Sequence, residues 1–384
     1  MTVRVPVRPE LLNWAVHRAR WSRSSVLDRF PRFDKWETGD VQPTLNQLQS
    51  FSTALHVPLG YLFLPEPPAE ETPIPDFRTR GNRTIDDLSV DLRDTIYLCQ
   101  RRQDWFRRFA ISHGFRKIRF VGSATIDDSP RSVASKIRKT IDFTMEKRRA
   151  FTSWEDAFRR LIDLIEAAGV LVSVNGVVGG DNHRILDPDE FGGFTLVDQY
   201  APLIFVNGAD TKAAQIFTIV HELAHVWLGE SAISDAGVAR HSRNKHERWC
   251  NQVAAEVLIP RSRLISDYGG EPTVTELERL ARVYRVSTLV VLVRLHETDV
   301  VPDDEFWDLY EAESDRVREH ARRRQDAGGG NYYYTQPIRL GRRFAQAVIK
   351  DAHEGGTAYG EAYRLLGTAK PETFDRLAEE LGVA

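Results

Sequence analysis

The first 64 residues carry apolar positions at helical spacing. Leu11, Leu12, Ala15 and Val16 form one stripe, and "SSVLDRF" is a short second segment. Leu45, Leu48, Phe51 and Leu55 form a third, starting just after Thr44, a residue suited to cap a helix. "LPEPPAEETPIPDF" (64–77) then holds five prolines in fourteen residues, a density no helix tolerates, and reads as an extended connector. Helical spacing returns from about Asp86 to Phe115, with Leu88, Leu92, Ile96, Trp105, Phe106 and Phe109 on the buried side, and again near 129–142 and 153–168. Between 169 and 207 the period changes. "GVLVSVNGVVGG" and "FGGFTLVDQYAPLIFVN" are β-branched and aromatic runs bounded by glycine, and predict two or three strands of a small sheet.

A turn at Asn207-Gly208 leads into a strongly apolar helix, for which Asp210 is the expected N-cap. Beyond it the pattern predicts a polar loop over 230–244 and a helix, "KHERWCNQVAAEVL", stopped by Pro260. Two helices follow within 273–297, separated at Arg285-Val286-Ser287, then a charged helix over 303–325. "DAGGG" (326–330) is a flexible break before an amphipathic helical tail at 331–384. The fold class is therefore α+β and mainly helical.

Composition narrows the setting. A 384-residue chain that is 42% hydrophobic and 28% charged has the make-up of a soluble globular protein, long enough for two or three domains. No run of about 18 apolar residues predicts a membrane span. The opening "MTVRVPVRPELLNW" lacks the apolar core of a secretory signal, and two cysteines, Cys99 and Cys250, make no disulfide framework. Both features predict a cytoplasmic protein. A net charge of −3 argues against general polyanion binding, so any nucleic-acid contact needs a local patch.

The chemistry lies in "FTIVHELAHVWLGE" (217–230). His221 and His225 are four residues apart, about 6 Å along one helix face, so two imidazoles can converge on one ion at the roughly 2.0–2.1 Å of a Zn–N bond. Glu222 points aside from that line. It can accept a proton from a water that zinc has acidified, as the water attacks a carbonyl. Two histidines can also simply hydrogen-bond within a core. Here, however, Ile216, Phe217, Ile219, Val220, Leu223, Ala224, Val226, Trp227 and Leu228 surround them, and burying three ionisable groups without a common purpose is costly. A catalytic zinc takes three protein ligands. "HERWCNQVAAEVLIP" (246–260) is the best source of the third, with Glu247 chosen over His246 and Glu256, while His183 and His241 read as loop residues. Strand 202–206 is a candidate edge for an extended substrate. His241, His246 and Tyr200 are weak candidates for stabilising an oxyanion.

These residues resemble the ImmA/IrrE family of zinc metallopeptidases. The family pattern "P-x-I-x-V-N", "F-T-x-x-H-E-x-x-H" and "E-x-x-A-N-x-x-A-x-x-L-x-x-P" is matched by Pro202, Ile204, Val206, Asn207, Phe217, Thr218, His221, Glu222, His225, Glu247, Asn251, Ala254 and Pro260. Cys250 stands for its alanine and Val257 for its leucine. The resemblance implies His221, His225 and Glu247 as zinc ligands and Glu222 as general base. "QPTLNQLQSFSTALHVPLGYLFLPEPP" and "PIPDFRT" resemble members with an N-terminal helix-turn-helix of the XRE type, and the tail resembles those of the longer members.

The domains expected are an XRE-like unit at 1–64, a Pro-rich linker at 65–82, a helical connecting region at 83–150, a zincin-like peptidase domain at 151–300 and a helical C-terminal region at 301–384. Only "PRFDK" separates "SSVLDRF" from Trp36, too little for the two turns of a recognition helix, and residues 1–40 carry a net charge of only +3. This unit therefore favours protein docking or homodimerisation over DNA contact. The apolar segment 275–297 reads as packing against the core. The function expected is a zinc-dependent endopeptidase that cleaves a repressor or antitoxin-like regulatory protein. The alternative is a DNA-associated regulator or toxin–antitoxin component whose metal is structural.

Overall fold

A computed structural model describes residues 4–68, 74, 88–234, 244–324, 332–368 and 370–384. Most of the 65–82 linker, His241 and the "DAGGG" break lie outside the described residues. Contacts divide the chain into two units, Met1–Pro73 with Thr84–Ile96, and Ile74–Arg83 with Tyr97–Ala384.

In the first unit the helices are α1 (Pro9–Arg18), α2 (Arg23–Arg29), α3 (Phe33–Glu37) and α4 (Leu45–Ala54), followed by a 3-10 turn at Leu59–Phe63. Thr44 caps α4 as expected, in a reciprocal box with Gln47. Phe30, Phe33 and Trp36 close around Phe51, with Phe33 and Phe51 stacked at 5.8 Å. The segment before Gly39 does fold into a helix, but one of only five residues, and Arg23 pairs with its Asp34 and Glu37 at 2.5 and 2.8 Å. Helix α5 (Val90–Ser112) follows.

The second unit has α6 (Pro130–Thr140), α7 (Met145–Arg149) and α8 (Trp154–Ala167) before its strands. The strands are β1 (Leu171–Asn175), β2 (Val177–Val178), β3 (Asp181–Ile185), β4 (Gly193–Leu196), β5 (Leu203–Asn207) and β6 (Ala232–Ser234), with α9 (Lys212–Leu228) between the last two. Next come α10 (Lys245–Leu258), α11 (Arg261–Asp267), α12 (Val274–Tyr284), α13 (Thr288–Glu297) and α14 (Asp303–Arg324). The tail is α15 (Tyr332–Leu340), α16 (Arg342–His353), α17 (Tyr359–Leu366) and α18 (Pro371–Leu381). The break between α12 and α13 falls at Arg285, held in the left-handed region with φ 51°. The architecture is α+β and mostly helical, as the periodicities predict.

Four strands form one sheet in the order β1-β5-β4-β6. Strand β1 runs parallel to β5, and β4 runs antiparallel to both β5 and β6. Leu171 through Asn175 register with Leu203 through Asn207, and Phe194 sits opposite both Phe205 and Ile233. This arrangement corrects three expectations. Strand 202–206 is central and bonded on both sides, so it has no free edge for a substrate. The polar 230–244 segment contains a buried strand, β6. His183, expected in a loop, lies on β3, an exposed strand that pairs only with β2. Strand β3 was not legible because "DNHRI" has neither alternation nor β-branched content until its last residue.

Helix α9 is apolar almost all round because it is covered all round: only its first turn and Leu228 fall outside the buried class. Thr211, not Asp210, caps it, accepting from the Ala214 N–H at 3.3 Å. Gly193 sets how closely α9 approaches β4. A Cβ there would lie 2.7 Å from the Phe205 carbonyl oxygen, 2.7 Å from Thr218 Cγ2 and 3.2 Å from Glu222 Cγ. The outer side of β1 is covered by the tail. Ser173 Oγ donates to the Arg339 carbonyl at 2.5 Å, and Gly341 approaches the Val172 carbonyl so closely that no Cβ fits between them.

Glu166, at the end of α8, accepts from the Arg343 N–H at 3.2 Å. Burial is the largest influence on its carboxyl and pushes it up to about 7, helped by Asp163 and opposed by Arg343 and Arg342. A carboxyl whose folded value is raised binds its proton more tightly when folded. The stability this supplies is complete below its ordinary value of 4.5 and is lost as pH rises through about 7.

Two measurements follow from this packing. Gly193→Ala is expected to destabilise the protein by about 1–3 kcal/mol in urea denaturation, because backbone opposes the new methyl; an unchanged midpoint contradicts the close approach. Raising the pH from about 5 to about 8 is expected to remove on the order of 3 kcal/mol through Glu166. Glu166→Gln keeps an acceptor for Arg343 and should flatten that slope; a slope identical to that of the parent protein refutes the assignment.

Candidate metal centre

Two adjacent helices build the centre. Helix α9 carries His221, Glu222 and His225 on consecutive turns, and α10 brings Glu247 to them from its first turn. Asn244 caps α10 by accepting from the His246 N–H at 2.9 Å, which places Glu247 at the positive end of the helix dipole. The far end of α10 is held by two buried arginines. Arg148 of α7 donates to the carbonyls of Leu258 and Tyr284, and Arg294 of α13 donates to that of Ile259 at 3.1 Å while pairing with Glu256.

The geometry is convergent. His221 Nε2 and His225 Nε2 lie 3.2 Å apart, and Glu247 Oε2 and Oε1 lie 3.2 and 3.1 Å from them, respectively. All three residues are at most 4% exposed. Donors 2.0–2.1 Å from a common tetrahedral ion are about 3.3–3.4 Å apart, so this set fits a divalent cation closely. Among the described residues, His221, His225 and Glu247 are the group whose ligand atoms all lie within 4.8 Å of one another.

The electrostatics follow from burial and proximity. For Glu247, burial alone pushes the carboxyl up, but the two imidazoles outweigh it and hold the group at about 2. Burial lowers His221, yet the charge and hydrogen bond of Glu247 raise it overall, with Glu222 and a hydrogen bond accepted by the Asn251 side chain adding to that. Glu222, fully buried, is raised by burial against the pull of both histidines.

Two further residues touch this group, and neither was singled out from the sequence. Thr195 Oγ1, on β4, lies 2.7 Å from Glu222 Oε2 and 3.0 Å from the Glu222 carbonyl oxygen. Its single proton serves one of them at a time, so the hydroxyl either donates to the carboxylate or accepts from a protonated carboxyl. Glu222 Oε1 is buried with no hydrogen-bond partner. Ser234 Oγ, on β6, lies 3.2 Å from His221 Nε2 and 3.5 Å from His225 Nε2. A polar residue within an apolar strand was the available signal for Thr195. Ser234, in a three-residue strand, offered none.

The competing candidates lie elsewhere. His246 Nδ1 meets Glu230 Oε2 at 2.5 Å, and Glu256 is taken up by Arg294 and the Arg261 N–H. Tyr200 sits on the β4–β5 turn with Lys117 5.9 Å from its ring centroid.

Residues 166–296 match the family model of the IrrE N-terminal-like domain, a peptidase-type domain, and residues 340–380 match a domain of unknown function, DUF8813. A search of the curated proteins finds no match. The first match covers about a third of the chain, and within it lie every strand, α9 and α10. That third of the chain is similar to the zincin-like metallopeptidase and regulator family.

Proposed function

We propose that the protein is a zinc-dependent endopeptidase acting on a partner regulatory protein, a repressor or antitoxin-like chain. The observation that carries this reading is the buried convergence of His221 Nε2, His225 Nε2 and the Glu247 carboxylate at 3.1–3.2 Å. Two imidazoles and a carboxylate form a donor set that suits Zn²⁺. A zinc ion held there supplies Lewis acidity, acidifying water and polarising a peptide carbonyl.

The chain's own residues supply the rest. Glu222 takes up the proton released as water attacks and returns it to the leaving amine. Its burial suits the first of these steps, because a raised carboxyl takes up a proton more readily than an exposed one. Thr195 orients that carboxyl and leaves Oε1 for the proton. Helix α10 keeps Glu247 facing the histidines, and its buried arginine clamps keep the helix from shifting along α9. The N-terminal unit serves as a docking or dimerising module, since its five-residue α3 is too short to read a major groove and its acidic side chains are paired with Arg23.

A second reading is favoured by the burial of the site: a regulator that binds its partner without cutting it and whose metal is structural. Glu222→Gln separates the two. Zinc content by elemental analysis is expected to stay near one equivalent while cleavage of the partner falls by about 10²–10⁴-fold, the scale of a lost general base. Zinc retained with an undiminished biological effect would instead establish the structural role.

A further inference from the structure

The centre has a neighbour that three-ligand chemistry does not need. Ser234 Oγ lies 3.2 Å from His221 Nε2 and 3.5 Å from His225 Nε2, nearly the same spacing that those nitrogens keep from each other and from Glu247. These five separations lie close to the tetrahedral edge of about 3.3–3.4 Å for bonds of 2.0–2.1 Å to one ion, each histidine facing a different oxygen of Glu247. The hydroxyl is not there by chance of a loose loop. Ser234 is 1% exposed and in register with Gly193, its carbonyl accepts from the Gly192 N–H at 3.2 Å, and the preceding Ile233 is fully buried opposite Phe194.

We infer that Ser234 is a fourth donor of this centre, and that β6 thereby holds it closed against a substrate carbonyl. The inference rests on the metal reading above and adds its regulation. A catalytic zinc keeps one position for water or substrate, and a serine hydroxyl, neutral and with two lone pairs, occupies that position weakly enough to leave. Among the described residues β6 pairs with β4 alone and, at three residues, is the shortest strand of its sheet, which makes it the one most readily detached from that sheet. Its departure exposes the fourth position and the outer edge of β4 together. That edge runs beside Thr195, so an extended peptide pairing there would lie next to Glu222. Activation is thus the exchange of a self-strand for a substrate strand.

The test uses the full-length protein loaded with Co²⁺, whose visible absorption reports the number and kind of its donors. Ser234→Ala is expected to change that spectrum and to let acetohydroxamate bind the loaded centre about tenfold tighter or more. Ser234→Cys, close in volume, is expected to add a sulfur-to-cobalt charge-transfer band absent from the parent protein, in which Cys99 and Cys250 serve as the blank. The inference is overturned, with the metal reading intact, if all three proteins bind one equivalent of Co²⁺ with the same spectrum and hydroxamate affinity and no new band. If none of the three binds Co²⁺ or Zn²⁺, the metal reading fails and this inference fails with it.

Discussion

Two imidazoles and two carboxylates held between α9, α10 and β4, away from water, are the constraint from which the rest of this structure follows. Isolated charges in such a place cost several kcal/mol each, and pairing offsets that cost only where the geometry is tight. The surrounding packing supplies that tightness. Gly193 lets α9 settle onto the sheet, Thr211 fixes where α9 begins, and Arg148 and Arg294 hold the end of α10. The depressed carboxyl of Glu247 beside two histidines shows how strongly those groups are coupled. The donor atoms of His221, His225 and Glu247 are spaced as a divalent cation requires.

The sheet has a functional consequence that the motif alone does not convey. In a chain read as a peptidase, the expected place for a peptide is a free strand edge beside the centre. Strand β5 offers none, and β4 has its outer edge filled by β6. The candidate centre is therefore shielded: Glu222, His225 and Thr195 are completely buried, and Ser234 almost so.

How much of this could be read from the sequence depended on the length of each signal. Helix α9 was legible because seventeen residues carry a four-residue histidine spacing within an apolar field, and α10 because Glu247, Cys250, Ala254 and Leu258 repeat at helical intervals. Glu247 was distinguishable from His246 because that periodicity sets it on the face towards α9, where it is found. Short elements were not legible. Strand β6 has three residues, too few for a period, and sits within polar sequence. Thr195 stands out only as a polar residue in an apolar strand, and its role shows only once β4 is placed against Glu222. Asp210 and Thr211 are both good caps, and only the backbone decides between them. The central place of β5 is a matter of topology, which residue patterns along one strand do not encode.

The segment that covers β1 has a meaning for how this chain could be taken apart. Val172 lies within the stretch that matches the peptidase-type domain, whereas Gly341, which approaches its carbonyl, lies within the stretch that matches DUF8813. The two similarities therefore touch at β1, and the packing of one is continued by the other. Cutting the chain between them would uncover the outer side of β1 and leave backbone groups there to recruit the same strand of another molecule. In the intact protein the tail acts as an edge guard, and the price of removing it would be paid in solubility before any chemistry was lost.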